Sequence, residues 1–184
     1  NMLDAGVSII EESMMATEAF LKARSGWNAV INADAAIREA TALAEEMSKE
    51  NILASQAKGN EALAFLEEAQ QDFSQAEAAY PGLDLAAFKA YVAKRIESQQ
   101  AALAADEAYL SRNKEELEAQ NSRYNALEEE AAALAQKLGE DDPEQIVALR
   151  FYEEIEADQG AYEAERLKAG NADAFLREYL GTAS

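Results

Sequence analysis

Apolar residues recur along this chain at spacings of three and four, the rhythm of one face of an α-helix. Leu3, Val7, Ile10, Met14, Thr17 and Leu21 form the first such face, and Phe20 broadens it. The pattern predicts a helix over about 3–24. Ser25-Gly26 is its stop, because glycine readily adopts the left-handed conformation that closes a helix. Trp27, Val30, Ile31 and Ile37 extend the same stripe, so one kinked rod through this point is the alternative. A second helix, capped at Asn32 or Asp34, is expected over 33–80. Its early face holds Ile37, Ala40, Ala44 and Met47, and its later face is a clean heptad of Ala62, Leu66, Ala69, Phe73, Ala76 and Tyr80. Gly59 interrupts that helix, either as a bend or as a point where a neighbour comes close.

Tyr80-Pro81-Gly82-Leu83-Asp84 has the composition of a turn: proline cannot continue the helix, glycine supplies the reversal and Asp84 can cap the next helix. A third helix then reads from 84 to 138. Ile96, Leu103, Leu110, Leu117, Tyr124, Ala131 and Leu138 fall every seven residues without a miss. The companion comb of Val92, Gln99, Asp106, Asn113, Gln120, Leu127 and Leu134 is apolar at both ends and polar between, as in a seam whose register is set by polar residues. Leu138-Gly139 ends this helix. Asp142-Pro143-Glu144-Gln145 opens the next, with an acidic cap, proline in the first turn and glutamine placed to cap in return. That helix covers 143–169, through Ile146, Leu149, Tyr152, Ile155 and Tyr162. Asn171 caps a last short one over 172–180.

The fold class is therefore all-α: an elongated antiparallel helical bundle or coiled coil with a long helical hairpin. Short connections make consecutive helices antiparallel neighbours. This implies a single domain over 1–184, with a four-helix head from about 1–57 and 108–184 and a projecting hairpin arm over about 58–107. This head requires the chain to fold back at Ser25-Gly26.

Composition supports the helices and removes most chemistry. Alanine, glutamate, leucine and glutamine, all strong helix formers, dominate a chain with eight glycines and two prolines. β-branched residues never gather into an alternating run, so no strand is expected. The net charge is −20, from 36 acidic and 16 basic residues. Such a polyanion is repelled by phosphate backbones and anionic lipid, so neither nucleic acid nor an anionic membrane is an expected partner. The chain holds no histidine and no cysteine. The usual general base, the commonest metal ligands and thiol nucleophiles are thus missing, and no catalytic, cofactor or metal residues are assigned. Glu140, Asp141, Asp142 and Glu144 lack the ligand spacing of a calcium loop, and capping already accounts for Asp142. No small-molecule substrate is expected, and the chain is read as non-enzymatic.

The remaining candidate surface is the hairpin tip, Tyr80, Pro81, Gly82 and Leu83, where apolar residues interrupt a polar exterior. Trp27 reads as a plug at the helix junction, and the seam tyrosines as core. The composition resembles that of alanine- and glutamate-rich bacterial envelope or surface proteins in general, with no motif that names a family. Asn1 is not an initiator residue: either Met2 is the true start, or the chain is cut from something longer, such as an ectodomain freed of its signal. An extracytoplasmic location is slightly favoured on that ground. The expected role is a non-catalytic structural or protein-interaction module, a spacer, scaffold or adaptor. The alternative is an acidic, chaperone-like protein that captures a basic peptide, protein or cationic ligand. Self-association through the polar middle of the third helix is a further expectation.

Overall fold

The computed structural model describes residues 2–169, which form five helices: α1 (Met2–Ala44), α2 (Lys49–Ala79), α3 (Ala86–Leu110), α4 (Lys114–Leu138) and α5 (Pro143–Ala169). No strand occurs among the described residues. The all-α bundle expected from the 3.6-residue rhythm is what forms. The short helix expected over 172–180 lies outside the described residues.

Three helix boundaries differ from expectation, each for a local reason. The first and second predicted helices are not separated at Ser25-Gly26, since α1 runs through this point for 43 residues, about 65 Å at the usual rise per residue. Gly26 is buried, and a Cβ there would lie 2.6 Å from Cε1 of the Phe73 ring on α2. Beside it, the Ser25 hydroxyl donates to Asp72 Oδ2 at 2.7 Å. This glycine lets two helices approach and stops neither.

The break falls instead at residues 45–48. Ser48 caps α2 by accepting from the Asn51 backbone N–H at 3.2 Å. The Met47 carbonyl, freed from helix, accepts from the Tyr109 hydroxyl at 2.7 Å. The predicted 84–138 rod is likewise a hairpin. Arg112 takes a left-handed φ of 58°, and Asn113 caps α4 by accepting from Glu116 N at 3.1 Å. The leucine comb carries across the reversal, with Ala131 buried and Ile96, Leu103, Leu110, Leu117, Tyr124 and Leu138 half-buried. The turn at Tyr80–Leu85 and the stop at Gly139 stand where expected. Asp142 and Gln145 cap each other reciprocally, at 2.8 and 3.4 Å.

Cross-links fix the register. α1 and α2 pair antiparallel, tied by Ser25–Asp72, by Lys58–Glu39 at 2.9 Å and by the Ser55 hydroxyl on the Ala40 carbonyl at 3.0 Å. α3 runs back along α2, with Lys89 on Glu77 at 2.8 Å near the turn and Ser55 facing Asp106 at 3.4 Å farther along. It therefore lies parallel to α1, which it meets through Trp27–Phe88 and Asp34–Arg95. α4 folds back on α3, and α5 continues in the direction of α4 along the N-terminal half of α1. The 58–107 hairpin is thus flanked by α1 instead of projecting as an arm, and the four-helix head built on a turn at Gly26 is not formed.

The core concentrates where α2 passes into α3. Phe73, Tyr80, Phe88, Tyr91, Leu66, Leu85 and Val92 pack there with the buried alanines of α1 and with Val147 of α5. Trp27 sets its ring edge-to-face on Phe88, centroids 5.7 Å apart. It sits mid-helix against α3, so it plugs no hinge.

Candidate functional site

The helix that the sequence read as core-facing through its large residues is oriented the other way. On α1 the buried positions are Ala16, Ala19, Ala23, Gly26, Ala29, Val30, Ala33, Ala36 and Ala40, a comb of mostly small residues at spacings of three and four. Small side chains let α2 lie close, and dispersion contacts per helix turn increase as the axes approach. The comb of large residues lies opposite. Val7, Ile10, Met14 and Leu21 are between 50% (Val7) and 70% (Met14) exposed, and Ile31 farther along is 53% exposed. Thr17, between them, satisfies its hydroxyl on the Ser13 carbonyl at 2.7 Å. A single exposed leucine is ordinary, but a row of large apolar residues at helical spacing marks a contact surface. The alanine comb passes through Ser25-Gly26 unbroken, and it is the signal that would have revealed both the continuous rod and its inner face.

Near Leu21 the row borders an open groove of about 370 Å³ between α1 and α2, lined by Leu21, Arg24, Ser25, Asn28, Asn32, Phe65 and Glu68. Its walls mix an apolar floor with charged rims. Arg24 is drawn to one side by Glu144 of α5, 3.9 Å away.

The predicted tip is built differently from an open contact loop. Tyr80 and Leu83 are buried, leaving Pro81 and Gly82 outside. Arg150 of α5 reaches over the turn and donates from Nε and Nη2 to the Pro81 carbonyl at 3.2 and 2.5 Å. Its guanidinium stacks 4.9 Å from the Tyr80 ring centroid. Gly82 has φ 85°, a conformation that glycine adopts without strain, and a Cβ there would strike the same guanidinium at 2.5 Å. Burial pushes the Tyr80 phenol far above its ordinary range, and the neighbouring Glu12 carboxylate raises it further. The side chains that would give the tip an apolar contact are thus used internally.

A half-buried cluster of ionisable groups lies between the helices. Arg95 of α3 joins three helices. Its Nη2 lies 2.9 Å from Asp34 Oδ1 on α1, its Nε lies 3.8 Å from Glu128 Oε1 on α4, and its Nη1 donates to the Tyr91 hydroxyl at 3.0 Å. Ser98 donates to the same Glu128 oxygen at 2.5 Å. Burial works to lower the Arg95 pKa, yet the surrounding Tyr91, Asp34 and Glu128 leave it raised. The polar middle of the third predicted helix is also occupied within the fold. Gln99 is buried beside Gly59, Asp106 faces Ser55, and Asn113 is a helix cap. Burial lifts the Asp106 carboxyl to about 6, against a smaller lowering by the Ser55 hydroxyl.

Among the described residues, no three acidic side chains converge on a point that would hold a metal ion, and no helix is long and apolar enough to cross a membrane. Fold and site together define an all-α bundle whose first helix leaves a row of large apolar residues exposed. Comparison with protein-family models, with curated proteins and with solved structures finds no match.

Proposed function

We propose that this protein is a non-catalytic helical interaction module, a scaffold or adaptor, and that its contact face is the outer side of α1. The observation that carries this reading is the inversion of α1: small residues face the core, and Val7, Ile10, Met14 and Leu21 face solvent. Solvent exposure of such a row is unfavourable by about 25 cal/mol per Å² of apolar surface, so it is retained where a partner removes it from water. The ionisable cluster around Arg95 spans α1, α3 and α4 and fits a role in fixing their register.

A photo-crosslinking residue at Met14, compared with one at the exposed Glu129 of α4, tests the reading. Met14 should capture a macromolecule, including another copy of the chain, where Glu129 does not. Equal yields from the two positions would remove the proposal.

A further inference from the structure

Resting on the reading of the outer side of α1 as a contact face, we infer that its occupant is an amphipathic helix with basic flanks, laid along Val7–Leu21. Three observations select that partner. The row repeats at spacings of four and three, Val7, Ile10, Met14, Thr17, Leu21, which is the pitch that a second helix meets with its own apolar stripe. At about 1.5 Å per residue it is about 21 Å long, enough for a partner helix of some four turns.

From Val7 to Leu21 the border of the row carries acidic charge alone, the first cations, Lys22 and Arg24, standing past its end. Glu11 stands one turn beyond Val7 and Glu18 one turn beyond Met14, both exposed, so both carboxylates line the same edge of the stripe. Residues 1–21 contain Asp4, Glu11, Glu12 and Glu18 and no lysine or arginine, in a chain of net charge −20. A second copy would double the carboxylates along this seam and bring only Lys22 and Arg24, which stand at its far end, Arg24 already beside Glu144. A partner helix carrying lysine or arginine beside its apolar stripe matches both the pitch and the sign. The groove continuing from Leu21 to Phe65, with Arg24 and Glu68 on its rims, extends the apolar stripe onto α2.

The test uses the full chain and three synthetic peptides of 18 residues. One has leucines at helical spacing flanked by lysines, one replaces those lysines by glutamates, and one scrambles the leucine–lysine sequence at constant composition. Binding is followed by anisotropy at low and at physiological salt. The lysine-flanked helix should bind saturably, and Met14→Asp should weaken it roughly tenfold. Glu11→Gln combined with Glu18→Gln should weaken it about two- to fivefold and flatten its salt dependence. These side chains are exposed, so the variants keep the helical circular dichroism of the parent.

Equal binding of the scrambled peptide, or indifference to Met14→Asp, would overturn the inference by reducing it to bulk charge attraction. Dimerisation abolished by Met14→Asp, with no preference among peptides, would overturn the choice of partner but leave the contact face standing. Only the failure of crosslinking at Met14 removes the face itself.

Discussion

Where α2 passes into α3, the bundle is held by Phe73, Phe88, Tyr80, Tyr91 and half-buried Trp27. Where α1 turns into α2 and α3 into α4, the buried positions include Ala40, Ile52, Ser55, Gly59, Gln99, Ala101, Ala105 and Ala108. Both ends are tightly packed helix pairs, and they differ in what the packing removes from water. An aromatic residue buries about 150–250 Å², several times the area of an alanine methyl. The first end therefore carries most of the hydrophobic stabilisation. The second closes by backbone proximity, side-chain hydrogen bonds and one unfavourable carboxylate. The difference teaches that close approach and strong stabilisation are separate properties of a helix seam. It also makes the double-hairpin end the first to open in local unfolding.

The sharpest way to break this contrast is at the aromatic end. Phe73→Ala should cost about 3–5 kcal/mol, read from urea unfolding by circular dichroism, because a fully buried ring leaves a cavity between Gly26 and Phe88. At the other end the largest effect has the opposite sign. The Asp106 carboxyl sits at about 6 in the fold against 3.8 unperturbed. Between those values the folded chain binds more protons than the unfolded one, so stability falls as pH rises from about 4 to 6. Asp106→Asn should remove this group's share of the slope and leave the variant more stable than the parent above pH 6. A variant whose pH profile keeps the parent's slope would move the titrating group elsewhere.

Two glycines then compare the ends directly. Gly26→Ala should lose about 1–2 kcal/mol despite alanine's better helix propensity, because the clash at 2.6 Å is with a wedged phenyl ring. Gly59→Ala meets the ends of two flexible side chains, Gln99 Nε2 and Leu103 Cδ2, each at 2.8 Å. It should change stability by less than about 1 kcal/mol, since propensity and clash oppose each other there. Matching losses at the two glycines would erase the proposed difference. Smallest of all, Met14→Asp should leave the unfolding midpoint within about 0.5 kcal/mol of the parent, as befits a residue outside the core.

Helix content and punctuation by caps are legible in the residues. Tyr80-Pro81-Gly82, Leu138-Gly139 and Asp142-Pro143-Glu144-Gln145 each act as their local chemistry dictates. Direction is not legible. A seven-residue comb is the same whether a helix continues or folds back on itself, and so the reversal at Ser111–Asn113 is hidden beneath Leu103, Leu110 and Leu117. Asn113, which reads as a polar seam residue, is the cap that marks it, and Ser48 is its counterpart before α2. The orientation of α1 is misread when large residues are weighted over small ones. In a seam governed by backbone approach, the alanines and Gly26 define the inside. The Arg150 clamp has no signal in the sequence, since it depends on α5 lying beside a much earlier turn, and the contact pairs residues 69 apart.

Trp27 is the chain's one tryptophan, and its indole rests on Phe88 at the meeting of α1 with α3. Ultraviolet emission excited at the red edge therefore comes from a single known address. Any event that parts these two rods, by heat, denaturant or a ligand strained into the neighbouring groove, will register as a spectral shift. With no cysteine in the chain, a thiol dye can be introduced at any chosen outward position, so energy transfer to it can measure distances from that fixed lamp.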